Sequence, residues 1–179
     1  MSVLVLVGPP AAGKSTAGSA LAARLNVPFI DVDGAIEAAT GRSISEIFVD
    51  EGEKSFREME REATLQLITE PAVVSLGGGA VLDPDIRAAL AEHTVVWLQV
   101  SVTHATRRVG MNVMRPLLLG DVRANLERLQ AEREPLYREV ADLIIDTSAR
   151  KADDIVEELA RSIAAGLSDE DVQTEASGE

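Results

Sequence analysis

Eight residues near the start of the chain, Gly8-Pro9-Pro10-Ala11-Ala12-Gly13-Lys14-Ser15, fit the pattern G-x-x-x-x-G-K-[ST]. The apolar run Val3–Val7 precedes them, and Ala17, Leu21 and Leu25 follow at i, i+4 spacing. The segment therefore joins a buried strand to an amphipathic helix. No other feature constrains the fold as much. A tight loop of small residues feeding a helix N-terminus presents backbone N–H groups and the positive end of the helix dipole to phosphate oxygens. In such a loop Gly8, Ala11, Ala12 and Gly13 shape the cradle, and Lys14 reaches the β- and γ-phosphates. Ser15 supplies a hydroxyl to Mg²⁺, and Thr16 completes the nucleotide-facing set. Ala11 and Ala12 stand where glycine is common, which restricts the loop at positive φ.

Four more β-rich apolar runs follow: Pro28–Val32, Ala72–Leu76, Thr94–Val100 and Leu143–Ile145. Near-continuous apolar strands are those buried on both faces, as in a parallel sheet. Helical patterns over Ser45–Thr69, Asp83–Leu90, Asp121–Arg138 and Ala152–Leu167 separate them. The alternation predicts an α/β domain over residues 1–167, a five-stranded parallel sheet flanked by helices, with ligands at the carboxyl ends of its strands. Residues 168–179 carry five acids and no base and are expected to be a disordered tail.

Charge and composition remove several partners. The net charge is −13, and −8 remains without the tail, while aromatic residues make up 3%. An acidic body with few stacking faces is a poor platform for nucleic acid. Cysteine is absent, so thiolate chemistry is excluded and a reducing compartment suits the chain. No run approaches the ~20 apolar residues of a membrane span. A soluble, cytoplasmic protein is expected. His93 and His104 lack metal-ligand spacing.

The acceptor side is less direct. The second strand ends Asp31-Val32-Asp33-Gly34. Strand alternation would send both carboxylates the same way, one towards the metal and one towards an attacking hydroxyl, although an ordinary strand-ending turn uses the same residues. Arg57 and Glu60 are i, i+3 neighbours, a spacing shared by a binding arginine held in place and by a plain surface ion pair. Gly77, Gly78 and Gly79 follow the third strand and permit close backbone approach to a ligand. Arg107, Arg108, Arg115 and Arg133 surround the stretch from Gly110 to Gly120. A mobile lid at about 110–122 could bring arginine over a transferring phosphoryl group. These residues alone define a kinase with an anionic acceptor. A gluconate-kinase-like enzyme, a nucleoside monophosphate kinase and a nucleotide switch are the competing readings. The switch is weakened because D-x-x-G falls on the second strand and no [NT]-K-x-D motif occurs.

Taken in order, GPPAAGKST, the DVD pair, TGRSISEIF, FRxxE, SLGGGAV, RPLL and EREPLYRE resemble the shikimate kinase family from Val3 to about Asp146. The resemblance implies a P-loop kinase of nucleoside-monophosphate-kinase-like fold. It would use MgATP to phosphorylate the 3-hydroxyl of shikimate, as a monomer. It implies shikimate binding by Asp33, Arg57, Gly77, Gly78, Gly79 and Arg133, with both arginines on the carboxylate. Asp33 would orient the hydroxyl, Ser15 and Asp31 would form the magnesium side, and Arg115 would be the lid arginine facing the phosphates. Catalysis would then fall to Lys14, Asp33 and Arg115. Arg108 and Arg150 would flank adenine. Lys151-Ala152 departs from the family there, where related sequences often carry proline.

Overall fold

The protein is described by a computed structural model covering residues 3–110 and 121–166. Arg115, nearly all of the expected lid and the acidic tail lie outside the described residues. Five strands run β1 (Leu4–Val7), β2 (Phe29–Asp31), β3 (Val73–Ser75), β4 (Thr94–Gln99) and β5 (Leu143–Asp146). They form one parallel sheet in the order β2-β3-β1-β4-β5. The helices are α1 (Lys14–Leu25), α2 (Val32–Thr40), α3 (Ile44–Leu67), α4 (Pro84–Leu90), α5 (Val102–Gly110), α6 (Val122–Val140) and α7 (Ala152–Ala164). A 3-10 turn covers Ala80–Leu82.

The central strand explains the layering. Pleating sends Leu4 and Leu6 into a core shared with α1 and α7, and Val3, Val5 and Val7 into a second core shared with α2, α3 and α4. All of β1 is buried. Each large aliphatic side chain buried this way contributes about 1.5–3 kcal/mol of transfer free energy. Helix α6 spans both cores, with Leu126 and Leu129 in the first and Tyr137 in the second.

Register then sets the site. Asp31 pairs with Ser75, Ser75 with Leu6, and Leu6 with Val96. The segments after β1, β2 and β3 consequently leave the sheet at the same edge, where α/β ligand sites form.

Helix ends follow local chemistry. Ser43 and Glu46 form a reciprocal capping box for α3. Asp83 accepts from Asp85 N and Ile86 N, with Pro84 at the first helical position. Asp121 caps α6 by accepting from Ala124 N. Such caps each stabilise by about 1 kcal/mol. Helix α3 is interrupted at Gly52, where φ is 83° and ψ is 168°.

One expectation is corrected here. The second strand ends at Asp31, and Asp33 lies in the first turn of α2 rather than on a strand. Asp31 is the cause, because its carboxylate accepts from Gly34 N at 3.2 Å and starts the helix. Helix α2 follows β2 without a loop, so sequence pattern does not separate it from that strand.

Candidate active site

The phosphate loop opens from the buried end of β1 onto α1. Gly8 has φ 146°, and a Cβ there would overlap the Leu98 carbonyl oxygen. Gly13, at φ 84°, turns the chain into α1. Ala11 adopts φ 64°, a left-handed conformation that alanine resists. Lys14 Nζ donates to Gly8 O at 2.8 Å and Pro9 O at 3.0 Å, which keeps the ammonium folded over the loop. Arg108 Nη1 donates to Ala11 O at 2.8 Å, so α5 braces the loop from behind.

Ser15 Oγ donates to Asp31 Oδ2 at 2.7 Å. These two hard oxygen donors sit at the N-terminus of α1. The described residues contain no cluster of three or more His, Cys, Asp or Glu able to hold a metal. The pair fits Mg²⁺, which takes one or two protein oxygens and completes its shell with water and phosphate.

Asp33 joins this edge despite its changed secondary structure. A cleft of about 260 Å³ is lined by Ala11, Lys14, Ser15, Asp31, Asp33 and Gly77, among others. Donor and acceptor residues expected from sequence therefore face one space.

Behind the three glycines lies a buried charge cluster. Arg57 Nη1 donates to Glu60 Oε2, and Arg57 Nη2 donates to Glu53 Oε1 at 3.3 Å. Glu60 is 1% exposed and Arg133 3%, so the Arg57–Glu60 contact is not a surface pair. A Cβ on Gly77 would stand 2.5 Å from Glu60 Oε1 and 2.9 Å from Asp33 Oδ1. On Gly79 it would overlap the Arg57 guanidinium, and on Gly78 it would lie 3.1 Å from Pro10 Cδ and 3.5 Å from Arg133 Nη1. Glycine at 77 and 79 is thus what lets side chains from α2 and α3 reach the backbone of the β3 loop.

Burial pushes the Glu60 carboxyl above the ordinary glutamate value; the Arg57 and Arg133 charges oppose that rise and Asp33 adds to it. Arg57 Nε, Glu60 Oε1 and Arg133 Nε are buried atoms with no hydrogen-bond partner among the described residues. Two guanidinium groups held beside a glycine loop suit a bidentate anion.

Three contributors escaped sequence reasoning as site residues. Glu60 was visible only as a helical neighbour of Arg57. Tyr137 Oη donates to Gly78 O at 2.6 Å, and its ring packs on Trp97 at 5.6 Å. Burial raises its phenol to about 12, so it stays a donor. Its signal was available: it follows Arg133 by one helical turn. Thr147 contacts the phosphate loop, and only its position after β5 could have pointed to it. Arg108 and Arg150 line a separate cleft of about 230 Å³ with Ala12, Gly13, Thr16 and Ala152. Arg150 is engaged with Glu158 at 2.5 Å and Asp146 O at 3.2 Å.

Comparison with known proteins decides between the kinase classes. The shikimate kinase family model matches residues 10–164. The chain belongs to the shikimate kinase family. A shikimate kinase of Salinispora arenicola is 49% identical over 164 residues, covering 91% of this chain and 98% of the relative. That of Thermobifida fusca is 46% identical over 162 residues, covering 90% and 94%. Among solved structures, shikimate kinase from Acinetobacter baumannii in complex with shikimate superposes with a TM-score of 0.89. It is 36% identical and covers 93% of this chain and 94% of that one. Shikimate kinase from Aquifex aeolicus gives 0.79 at 30% identity, with coverages of 92% and 97%. These shikimate kinases share the parallel five-stranded architecture built here around β1. The fold expected from the sequence is borne out. No helix among the described residues is long and apolar enough to cross a membrane.

Proposed function

We propose that the chain transfers the γ-phosphate of ATP to the 3-hydroxyl of shikimate by direct in-line displacement. The observation that carries this reading is the pair formed by half-buried Arg57 and buried Glu60 beside Arg133. Behind Gly77–Gly79 it adjoins the cleft that holds Lys14, Ser15, Asp31 and Asp33. Arg57 and Arg133 bind the acceptor carboxylate, because two fixed guanidinium forks match its geometry where lysine would supply only a point charge. Gly77, Gly78 and Gly79 let the ring approach. Asp33 hydrogen-bonds the attacking hydroxyl and orients it towards the phosphate loop, where a bound reactant gains most of its advantage from position.

Lys14, with Arg115 from the lid, stabilises the charge that spreads over the transferring phosphoryl oxygens. The backbone N–H groups of Gly8 and of Ala11 to Thr16 hold the donor phosphates, and Arg108 and Arg150 flank adenine. Ser15 and Asp31 would hold Mg²⁺, which when bound neutralises phosphate charge. The enzyme acts as a monomer, in which one chain supplies both donor and acceptor residues, and it works in the cytoplasm.

Gluconate is the competing acceptor, because it also presents a carboxylate and hydroxyls. A coupled ADP-release assay separates them. Turnover is expected with shikimate, and only background with gluconate or nucleoside monophosphates. Background rates with shikimate would overturn the acceptor assignment.

A further inference from the structure

Thr147 lies just past β5 and is 1% exposed. Its Oγ1 stands 3.0 Å from Ala12 O and 2.9 Å from Gln99 O, and it accepts from Arg108 Nη1 at 3.3 Å. A hydroxyl has one proton to donate. Gln99 O also receives the backbone N–H of Thr147 at 2.8 Å, so the hydroxyl proton is shared between Gln99 O, which has a second donor, and Ala12 O. Arg108 meanwhile donates through Nη2 to Thr147 O at 2.7 Å and through Nη1 to Ala11 O. Two consecutive carbonyls of the phosphate loop are thus held from the β5 side.

That anchoring has a geometric effect on the opposite side of the loop. In a trans peptide the C=O and N–H point in opposite directions, and there is no cis peptide among the described residues. Holding Ala12 O towards Thr147 directs the N–H of Gly13 the other way, and Gly13 lines the cleft where phosphate would sit. The left-handed Ala11 adds to the need. A non-glycine residue stays in that region only where its surroundings over-determine it.

We infer that Thr147 is a positioning residue of the phosphate loop, whose hydroxyl sets the geometry with which the loop meets the donor's phosphates. This rests on the kinase reading but does not depend on which acceptor is used. A threonine that only filled the turn after β5 would affect stability and leave phosphate affinity alone.

Thr147→Val keeps the shape and removes the hydroxyl, and Thr147→Ser keeps the hydroxyl. The full chain is titrated calorimetrically with MgATP and with magnesium tripolyphosphate, without acceptor. The valine variant is expected to bind both about tenfold more weakly, by the same factor, with serine within about twofold of wild type. Tripolyphosphate carries no base, so a loss seen with ATP alone would assign Thr147 to base recognition and overturn the inference. Unchanged affinity with a lowered melting temperature would overturn it as well. Should the valine variant not fold, Thr147→Cys fills similar space with a weak donor; weakened tripolyphosphate binding supports the role and unchanged binding overturns it. A wild-type chain that binds neither ligand would remove the kinase reading itself. Wild-type binding matched by the valine variant would remove only this inference.

Discussion

The phosphate loop and the acceptor pocket meet in one cleft but are held by different forces. The loop is fixed by hydrogen bonds to its own carbonyls, from Lys14 to Gly8 and Pro9, from Arg108 to Ala11 and from Thr147 to Ala12. The acceptor side is fixed by charges that hold one another: Arg57 on Glu60, with Arg133 and Asp33 close by. A backbone cradle depends on chain geometry. A buried cluster of carboxylates and guanidiniums depends on protonation and fails when one member is lost, because its partner is left buried without compensation.

The largest effect should come from the donor side. Lys14→Met removes the ammonium from the loop, and transfer should fall by about 10²–10³-fold or more, as when a charge-stabilising donor is lost. Acceptor binding measured without nucleotide should stay within about twofold of wild type. A comparable loss of shikimate affinity would show that the two regions are not separable in this way.

Glu60→Gln probes the other half. The substitution keeps the shape and replaces a charge-assisted bond to Arg57 by a neutral one, so KM for shikimate should rise about 10- to 100-fold while KM for ATP barely moves. A pH series sharpens this. Glu60 has a folded-state value above its unfolded one, so the folded protein binds that proton more tightly. Its contribution to stability is fully present below the unfolded value and is lost as pH rises through the raised folded value. Acceptor affinity should run the opposite way, improving as Glu60 ionises and fixes Arg57. In Glu60→Gln both trends should disappear; a wild-type KM for shikimate that stays flat through that window would count against Glu60 as the group that orients Arg57.

The same contrast explains what the sequence made legible. The phosphate loop could be read because its chemistry is local: eight consecutive residues between an apolar run and an i, i+4 stripe contain all of it. The strands could be read for a similar reason, since β1 and β4 are buried on both faces and leave continuous apolar runs. Alternation fits Asp31-Val32-Asp33 to a strand, but Asp33 lies in α2. The deciding fact is a side-chain cap on Gly34, which alternation does not encode. Arg57 and Glu60 have a visible spacing but an invisible burial, which arises against Gly77 and Gly79, far along the chain. Thr147 has no local signature, because its partners are 135 and 48 residues distant.

The smallest effect should come from Ala11→Gly, and its smallness is informative. At φ 64° alanine carries a conformational cost that glycine would relieve, roughly 1 kcal/mol. Glycine also gives the unfolded chain more freedom, worth about 0.5–1 kcal/mol in the other direction. The two nearly cancel, and for a chain of this length the melting temperature should move by less than about 2 °C. If Arg108 and Thr147 already hold the carbonyls at 11 and 12, the glycine variant should also keep KM for ATP within about twofold. A rise of tenfold or more would mean that the stiffness of alanine, rather than the bonds behind the loop, is what keeps the cradle in shape.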